Sequence, residues 1–315
     1  MKILLTNVGR RTYFVDFLEK IKNNSLKDLE IHLSDCSKLA ASFYNRKNIK
    51  IHITPKATQN KNKYFQSILR VVKKNKINIL IPLSDYDLNI LSIKKSLLEK
   101  NKCKVIISNK EVIKTCFSKT ETTKFLKKNK FTFPKTWFSQ SQFKKKYPVI
   151  IKNIYGSASL GQKIIFENRD LKFTNFKKEI IQELVVGKEY NLDILNDFHG
   201  NYLDSCAKIK LSMRAGETDK AKIVNNSKLI LIAKKISKNL RHIGNLDCDL
   251  IIDKKGKVNI LDFNPRFGGG YPFTHMAGKN YLYKIIKMTL GEFYKLKKYP
   301  KIITGMKGID IKTFN

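Results

Sequence analysis

Apolar positions along the chain recur with two periods, which alternate. Residues 2 to 7 form a short continuous apolar run that predicts a buried strand, and Gly9-Arg10-Arg11 reads as the turn that ends it. Tyr13, Phe14, Phe17, Leu18 and Ile21 then recur at helical spacing and predict a helix over Thr12 to Lys22. Further short strands are expected at Leu29 to Leu33, Ile49 to Ile53, Ile79 to Leu83 and Lys104 to Ile107. Amphipathic helices between them include Tyr64 to Lys74 and Asp87 to Leu98. This alternation predicts an α/β fold in which a doubly wound parallel sheet ends near residue 110.

Beyond that point the pattern changes. Ser118-Lys119-Thr120-Glu121 is a cap signature, with a helix running to about Lys128. Strands follow at Tyr147 to Lys152, Lys163 to Phe166, Ile180 to Leu195 with a short break, and Tyr202 to Met213, while Asn196 to Gly200 supplies a turn. Arg214 to Thr218 reads as a polar loop. Ser227 to Leu240 carries Leu229, Ile232, Ala233 and Ile236 on one helical face. Gly244 to Gly270 reads as two strands about a tight turn at Asp253 to Gly256. The second part is therefore α+β, and the expected domains are 1–110 and 111–315.

Composition narrows the class. A chain of 315 residues with 42% hydrophobic content builds a globular core rather than remaining disordered. No apolar run reaches the roughly 20 residues of a membrane-spanning helix, and the start turns polar too soon for a signal peptide. The five cysteines lack Cys-x-x-Cys spacing and are expected to be reduced and mostly buried, which points to the cytoplasm. The net charge of +37 comes from 63 Lys and Arg against 26 acids. The lysines run the whole length with no basic tail, a pattern of lysine-rich composition at least as much as of a binding surface, so nucleic acid is not the expected partner.

That scarcity of acids makes their grouping informative. Asp247 and Asp249 share one face of their strand, and Asp262 and Asn264 share a face of the next. If the strands pair about the turn, Asp249 and Asp262 can converge with Asn264 as hard oxygen donors suited to Mg²⁺, with Arg266 directly after them; solvated hairpin acids are the plainer reading. Lys152 precedes the small-residue stretch Gly156-Ser157-Ala158-Ser159-Leu160-Gly161, a phosphate cradle or an ordinary hairpin loop. Glu183 and Glu189 could bond an adenine edge and a ribose diol, or simply face water. The first strand's turn holds a single Gly, so the dinucleotide fingerprint is absent, and Arg10 and Arg11 there are anion ligands or plain surface arginines. Core or surface roles are expected for His199, His242 and His275, with His275 a weak candidate to face an acceptor.

In chain order, Ser118-Lys119, Pro148-Val-Ile-Ile-Lys152, the Gly156 to Gly161 loop, Gln182-Glu183-Leu184-Val185, Gly187-Lys188-Glu189-Tyr190 and Asp262-Phe-Asn264-Pro265-Arg266 together resemble the ATP-grasp superfamily. The likeness is nearest to single-copy proteins related to the carbamoyl phosphate synthetase large subunit. It covers about Ser118 to Gly270, and residues 1–110 resemble the α/β domain that precedes it.

The resemblance implies a lid subdomain at about 118–186 and a central metal-binding subdomain at about 187–315. It implies that Lys119 and Lys152 contact ATP phosphates and that Gly156, Ser157, Ala158, Ser159 and Gly161 belong to the loop closing over them. Glu183, Leu184 and Val185 would border adenine, and Glu189 the ribose. Asp249, Asp262 and Asn264 would hold one or two Mg²⁺, which Mn²⁺ can replace, and Arg266 would stabilise the transferring phosphoryl group. Asp262 stands where the family usually has Glu, and Asp249 where it often has Gln or Glu. The implied activity is an ATP-dependent carboxylate–amine ligase acting through an acyl phosphate on small-molecule substrates, with a homodimer left open. The alternatives are phosphorylation of a carbamate or small acid on the same fold, and a basic nucleic-acid-binding module. Substrate choice is expected from loops at Arg214 to Lys222 and Phe267 to Gly278.

Overall fold

A computed structural model describes the chain except for residues 144–145, 157–160, 168–170, 172–173 and 309–315. Its first layer is a five-stranded sheet built from β1 (Lys2–Thr6), β2 (Glu30–Asp35), β3 (Ile49–Ile53), β4 (Ile79–Pro82) and β5 (Lys104–Val105). The order is β3-β2-β1-β4-β5 and every pairing is parallel, as the alternating pattern predicts. Strand order reverses between β1 and β4, so the carboxyl ends of these two strands open the crevice typical of such sheets. The helices are α1 (Thr12–Ser25), α2 (Lys61–Asn75), α3 (Asp85–Ile93) and α4 (Lys95–Glu99). The single helix expected over Asp87 to Leu98 is thus two helices, which meet at Lys94.

After α5 (Lys110–Phe117), α6 (Lys119–Lys128) starts on Ser118, whose hydroxyl accepts the Glu121 amide at 3.4 Å. A four-stranded sheet follows, made of β6 (Thr136–Trp137), β7 (Val149–Asn153), β8 (Lys163–Ile165) and β9 (Glu179–Glu183) in the order β6-β9-β7-β8. The largest sheet has the order β14-β13-β10-β11-β12-β15. Its strands are β10 (Gly187–Asn196), β11 (Tyr202–Arg214), β12 (Glu217–Val224), β13 (Gly244–Asp253), β14 (Val258–Asn264) and β15 (Thr304–Met306). The helix α7 (Ser227–Leu240) covers one face, over the residues its 3.6 period predicts. Its Leu229, Ala233 and Ile236 pack on Leu192, Ile194, Leu246, Cys248 and Leu250. Each fully buried Leu or Ile here contributes about 1.5–3 kcal/mol by leaving water.

Two loops expected from the sequence prove structured. Arg214 to Lys222 is the turn and first strand half of a β11–β12 hairpin, with Arg214 paired to Glu217 and Lys210 to Ala221. Polar residues alternate with buried Thr218, Ala221 and Ile223 there, and a half-buried strand rich in Lys has few apolar residues to announce it. Phe267 to Gly278 contains α8 (Tyr271–Met276), after which comes α9 (Tyr281–Thr289). Phe14 of α1 stacks on Tyr271 at 5.4 Å and meets Phe267 at 5.2 Å, so one core joins the first sheet to these late helices. The contact seats the loop after β1 over the large sheet. Among the described residues no helix is long and apolar enough to cross a membrane, and all five cysteines are free, with only Cys36 exposed.

Candidate functional site

The face of the large sheet opposite α7 carries two polar rows. Asp262, Asn191 and Lys208 are linked through Asp249 as successive partners across β14, β13, β10 and β11. One step along, Asn264, Asp247, Asp193 and Cys206 form the next row. Alternation on each strand accounts for most of this, since Leu192, Cys248 and Phe263 point the other way into the core. One irregularity completes it. The hairpin register pairs Ile252 with Val258 and Leu250 with Ile260, and then a β-bulge shifts it so that Asp249 meets Asp262. Without the extra residue Asp249 would face Leu261, and Asp262 would turn inward. The bulge keeps both Ile260 and Phe263 buried while aiming Asp262 and Asn264 outward.

Each acid in the rows has a cationic partner. Asp249 pairs with Lys210 at 2.6 Å and accepts Asn191 Nδ2 at 3.0 Å. Asp262 pairs with Lys119 at 3.0 Å, and Lys119 also donates to the Gly156 carbonyl at 3.2 Å. Asp247 takes Arg266 at 3.2 Å, Asn264 Nδ2 at 3.3 Å and a short bond from Asn191. Arg266 reaches across to Asp85, the first residue of α3, at 2.7 Å. Burial, helped by the negative charge of Asp249, pushes the Asp247 carboxyl up to about 6. Burial opposes the charge on Asp249 too, but the Lys210 ammonium wins and holds it below the ordinary range. The same pairing holds Lys210 above its ordinary value despite burial. Burial also opposes the charge of Arg266, and Asp85 and Asp247 override it.

Lys152 projects from β7 and is 8% exposed; it donates to Gln182 Oε1 at 2.8 Å, and Gln182 is itself fixed by Thr136 at 3.0 Å. Burial is the main reason its ammonium titrates below the usual 10.5, against the pull of Asp262. If the Lys152 ammonium meets a nucleotide phosphate, as the resemblance implies, kcat/KM for ATP should fall at a pH below the ordinary lysine range, and Lys152→Arg should move that alkaline limb upward in a pH–rate profile.

Most of these groups line one pocket of about 710 Å³, while Asp193, Cys206, Lys208 and Thr136 lie behind its wall. Lys119, Lys152, Gly156, Glu183, Leu184, Val185, Glu189, Asp249, Asp262, Asn264 and Arg266 lie on its wall, so the described residues singled out from the sequence are brought together, apart from Gly161. Gly161 lies at φ +73, where a side chain would press on Asn153 Nδ2 at 2.8 Å. Ser157, Ala158 and Ser159 fall outside the described residues. Glu183 is exposed and accepts the Lys135 amide at 3.2 Å; Glu189 is exposed as well. His275 is not among the lining residues: its ring stacks on Phe17 at 3.6 Å, and burial pushes it down to about 4.

Sequence reasoning missed Asp85, Asn191, Asp193, Lys208 and Lys210. The alternation of polar and apolar residues on β10 and β11 was the signal that could have found the last four. It also passed over the reason for Gly268-Gly269-Gly270. A side chain at Gly268 would collide with the Asp247 carboxylate, one at Gly269 would meet Glu217 at 2.8 Å, and one at Gly270 would meet Lys208 Cε at 2.8 Å. The glycines let this backbone lie directly on the polar face.

The donor chemistry suits a magnesium-bound nucleotide. Mg²⁺ is commonly held by one or two carboxylates together with substrate phosphates, and Asp249 and Asp262 stand side by side with the amide Asn264 near them. Among the described residues no group of three or more His, Cys, Asp or Glu is placed to hold a metal, so a metal here would need further ligands from a substrate or water. Lys119, Lys152 and Lys210 around the acids supply the remaining positive charge.

Comparison with known proteins finds matching families and similar folds. Residues 116–270 match the ATP-grasp domain family, and residues 3–106 match the family described as PylC-like, N-terminal domain. No curated protein matches the sequence. Among solved structures, the chain is similar to the L-amino acid ligase from Bacillus licheniformis, at TM-score 0.69 and 13% identity over 92% of this chain and 74% of that one. It is similar to the N5-carboxyaminoimidazole ribonucleotide synthetase from Thermotoga maritima, at 0.68 and 14% over 96% and 79%. It is also similar to a biotin carboxylase from Campylobacter jejuni, at 0.72 and 13% over 96% and 73%. At these identities the likeness is one of fold.

Proposed function

Because this chain belongs to the ATP-grasp superfamily, we propose that it is an ATP-dependent ligase joining a carboxylate to an amine through an acyl phosphate, with release of ADP and phosphate. The observation that carries the reading is the bulged register that sets Asp262 against Asp249, on the same pocket wall as Lys119 and Lys152. Fold likeness to ligases supports the class, while the roles rest on this geometry.

A carboxylate is a poor electrophile, and phosphorylation converts it to a mixed anhydride that an amine can attack. Phosphoryl transfer asks mainly for charge neutralisation and in-line positioning. Lys119 and Lys152 hold the phosphates, Lys152 already oriented by Gln182. Glu183, Leu184 and Val185 border the adenine and Glu189 the ribose diol. Asp249, Asp262 and Asn264 would hold one or two Mg²⁺, or Mn²⁺, which would supply charge neutralisation across the phosphates. Arg266 keeps its orientation through Asp85 and Asp247 on the pocket wall, where its charge faces the transferring group. The loop from Gly156 to Gly161 excludes water, which would otherwise hydrolyse the acyl phosphate. We divide the chain at about residue 110, with the lid at 118–186 and the central part at 187–315, and place it in the cytoplasm with small-molecule substrates.

A phosphate-release screen pairing carboxylic acids with amines tests the proposal. Release of phosphate that needs ATP, Mg²⁺, an acid and an amine together is the expected result. Release with an acid alone and no amine incorporated would turn the reading to a small-acid kinase.

A further inference from the structure

The pocket continues beyond the acids to a junction between two parts of the chain distant in sequence. On one side is the loop Asn7 to Arg11 after β1, and on the other the tip of the β11–β12 hairpin. Arg11 is held there by three acceptors. It donates to the carbonyl of Leu83 by a short bond, to that of Phe267 at 3.1 Å, and to Glu217 Oε1 at 3.3 Å. Glu217 also takes Lys307 at 3.1 Å. Burial opposes the Glu217 charge, but Arg11, Lys307 and Arg10 together hold its carboxyl below the ordinary range.

Arg10 differs from its neighbour. It lines the pocket, it is exposed, and its Nη2 donates to the Ala215 carbonyl at 2.8 Å. Among the described residues no carboxylate lies within ion-pair distance of it, as is also true of Lys152, whereas Lys119, Lys210, Arg11 and Arg266 each have one. Arg11 and Lys307 pair with Glu217 while Arg10 acts on it only at longer range, and the Arg10 fork keeps donors to spare. Its anchor at the hairpin tip belongs to β11 and β12, whereas Asp262 belongs to β14. In the sheet order three to four strand steps separate them, so Arg10 is anchored on other strands than those that carry Asp249 and Asp262.

We propose that Arg10 reads a second anionic group, carboxylate or phosphate, on one of the two substrates to be joined, a group that is retained rather than consumed. The inference rests on the ligase reading above and adds a substrate class: a small molecule bearing an anion besides the group that reacts. The Arg10 guanidinium offers paired donors that match either oxyanion, and the Ala215 carbonyl fixes its direction. Held this way, Arg10 determines specificity and takes no part in the chemical step.

The test compares substrates that differ in that one group. Ornithine against putrescine and glutamate against γ-aminobutyrate form the carboxylate arm, and phosphoserine against serine the phosphate arm. Each is assayed for ATP-dependent phosphate release with the full chain and its Arg10→Met and Arg10→Lys forms. The wild type should favour the member carrying the extra anion. Arg10→Met should raise the KM for that member by about tenfold or more, the scale of one charge-assisted contact, with a much smaller effect on kcat. The member lacking the extra anion should show no such change, and Arg10→Lys should recover part of the loss. Phosphate release that is indifferent to Arg10→Met, or a wild-type preference for the members lacking the extra anion, overturns this proposal and leaves the ligase reading intact. If no pair turns over, calorimetric titration of the same compounds into the Mg·AMPPNP-loaded protein decides. Tighter binding of an anionic member, lost in Arg10→Met, supports the proposal, and no such preference overturns it.

Discussion

Asp262→Ala should abolish ATP-dependent phosphate release, by about 10³-fold or more, while leaving the fold nearly as stable as the wild type. The size follows from removing a group whose charge is needed only where the phosphates are being rearranged, a loss commonly of 10²–10³ for one such contact and larger where a cation is dropped with it. The small structural cost follows from its surroundings. The Asp262 side chain is 24% exposed, and its main partner Lys119 keeps the Gly156 carbonyl after the substitution. Asp262→Glu, with one more methylene, restores the residue the resemblance leads one to expect and should retain measurable activity. Steady-state assays beside thermal melts check this: a melting temperature within a few degrees and a dead enzyme are expected together. An Asp262→Ala protein with ordinary turnover would remove the acid from the reaction.

Lys208→Met should produce the largest loss of stability of any single charge removal in the chain. Lys208 and Asp193 are both fully buried and meet at 2.6 Å. Thr274 donates to the same carboxylate oxygen at 2.6 Å, and Asn245 donates to the other at 3.0 Å. Removing the lysine strands a buried carboxylate, at a cost of roughly 3–5 kcal/mol. Replacing both partners, as Asp193→Leu with Lys208→Met, should recover most of that, because a buried ion pair offsets little more than its own desolvation. The network also reaches the site: Asn245 donates to the Arg266 carbonyl at 3.3 Å, and Lys208 lies under Gly270. The double variant should therefore melt near the wild type and still lose kcat. Urea unfolding with phosphate release separates the two effects, and equal stability for wild type and Lys208→Met would contradict the account.

Much of this was legible before any coordinates. The 2.0 and 3.6 periods located the parallel sheet and the helix over Ser227 to Leu240, because both elements bury one continuous apolar face. The acids of the last hairpin stood out against a lysine-rich background. What could not be read was the bulge at Leu261, because periodicity alone pairs Asp249 with Leu261 and gives no reason to insert a residue. Nor could sequence show that Asp85, on the first helix after β4, would ion-pair with Arg266 more than half the chain away. The strand Glu217–Val224 was hidden by its lysines, whose aliphatic stems let a polar sequence lie flat on a sheet. The three glycines after Arg266 looked like slack and are instead required by close approach to Asp247, Glu217 and Lys208.

The central claim is that the outward face of β13 and β14 holds the metal of a bound nucleotide. A crystal structure of the protein with AMPPNP and Mg²⁺ tests it most directly. The account predicts a cation between the phosphates and the carboxylates of Asp249 and Asp262, with the ammonium of Lys119 moved from Asp262 onto a phosphate oxygen. A nucleotide bound with its phosphates away from these two acids, or no nucleotide in the pocket at saturating concentration, would contradict it.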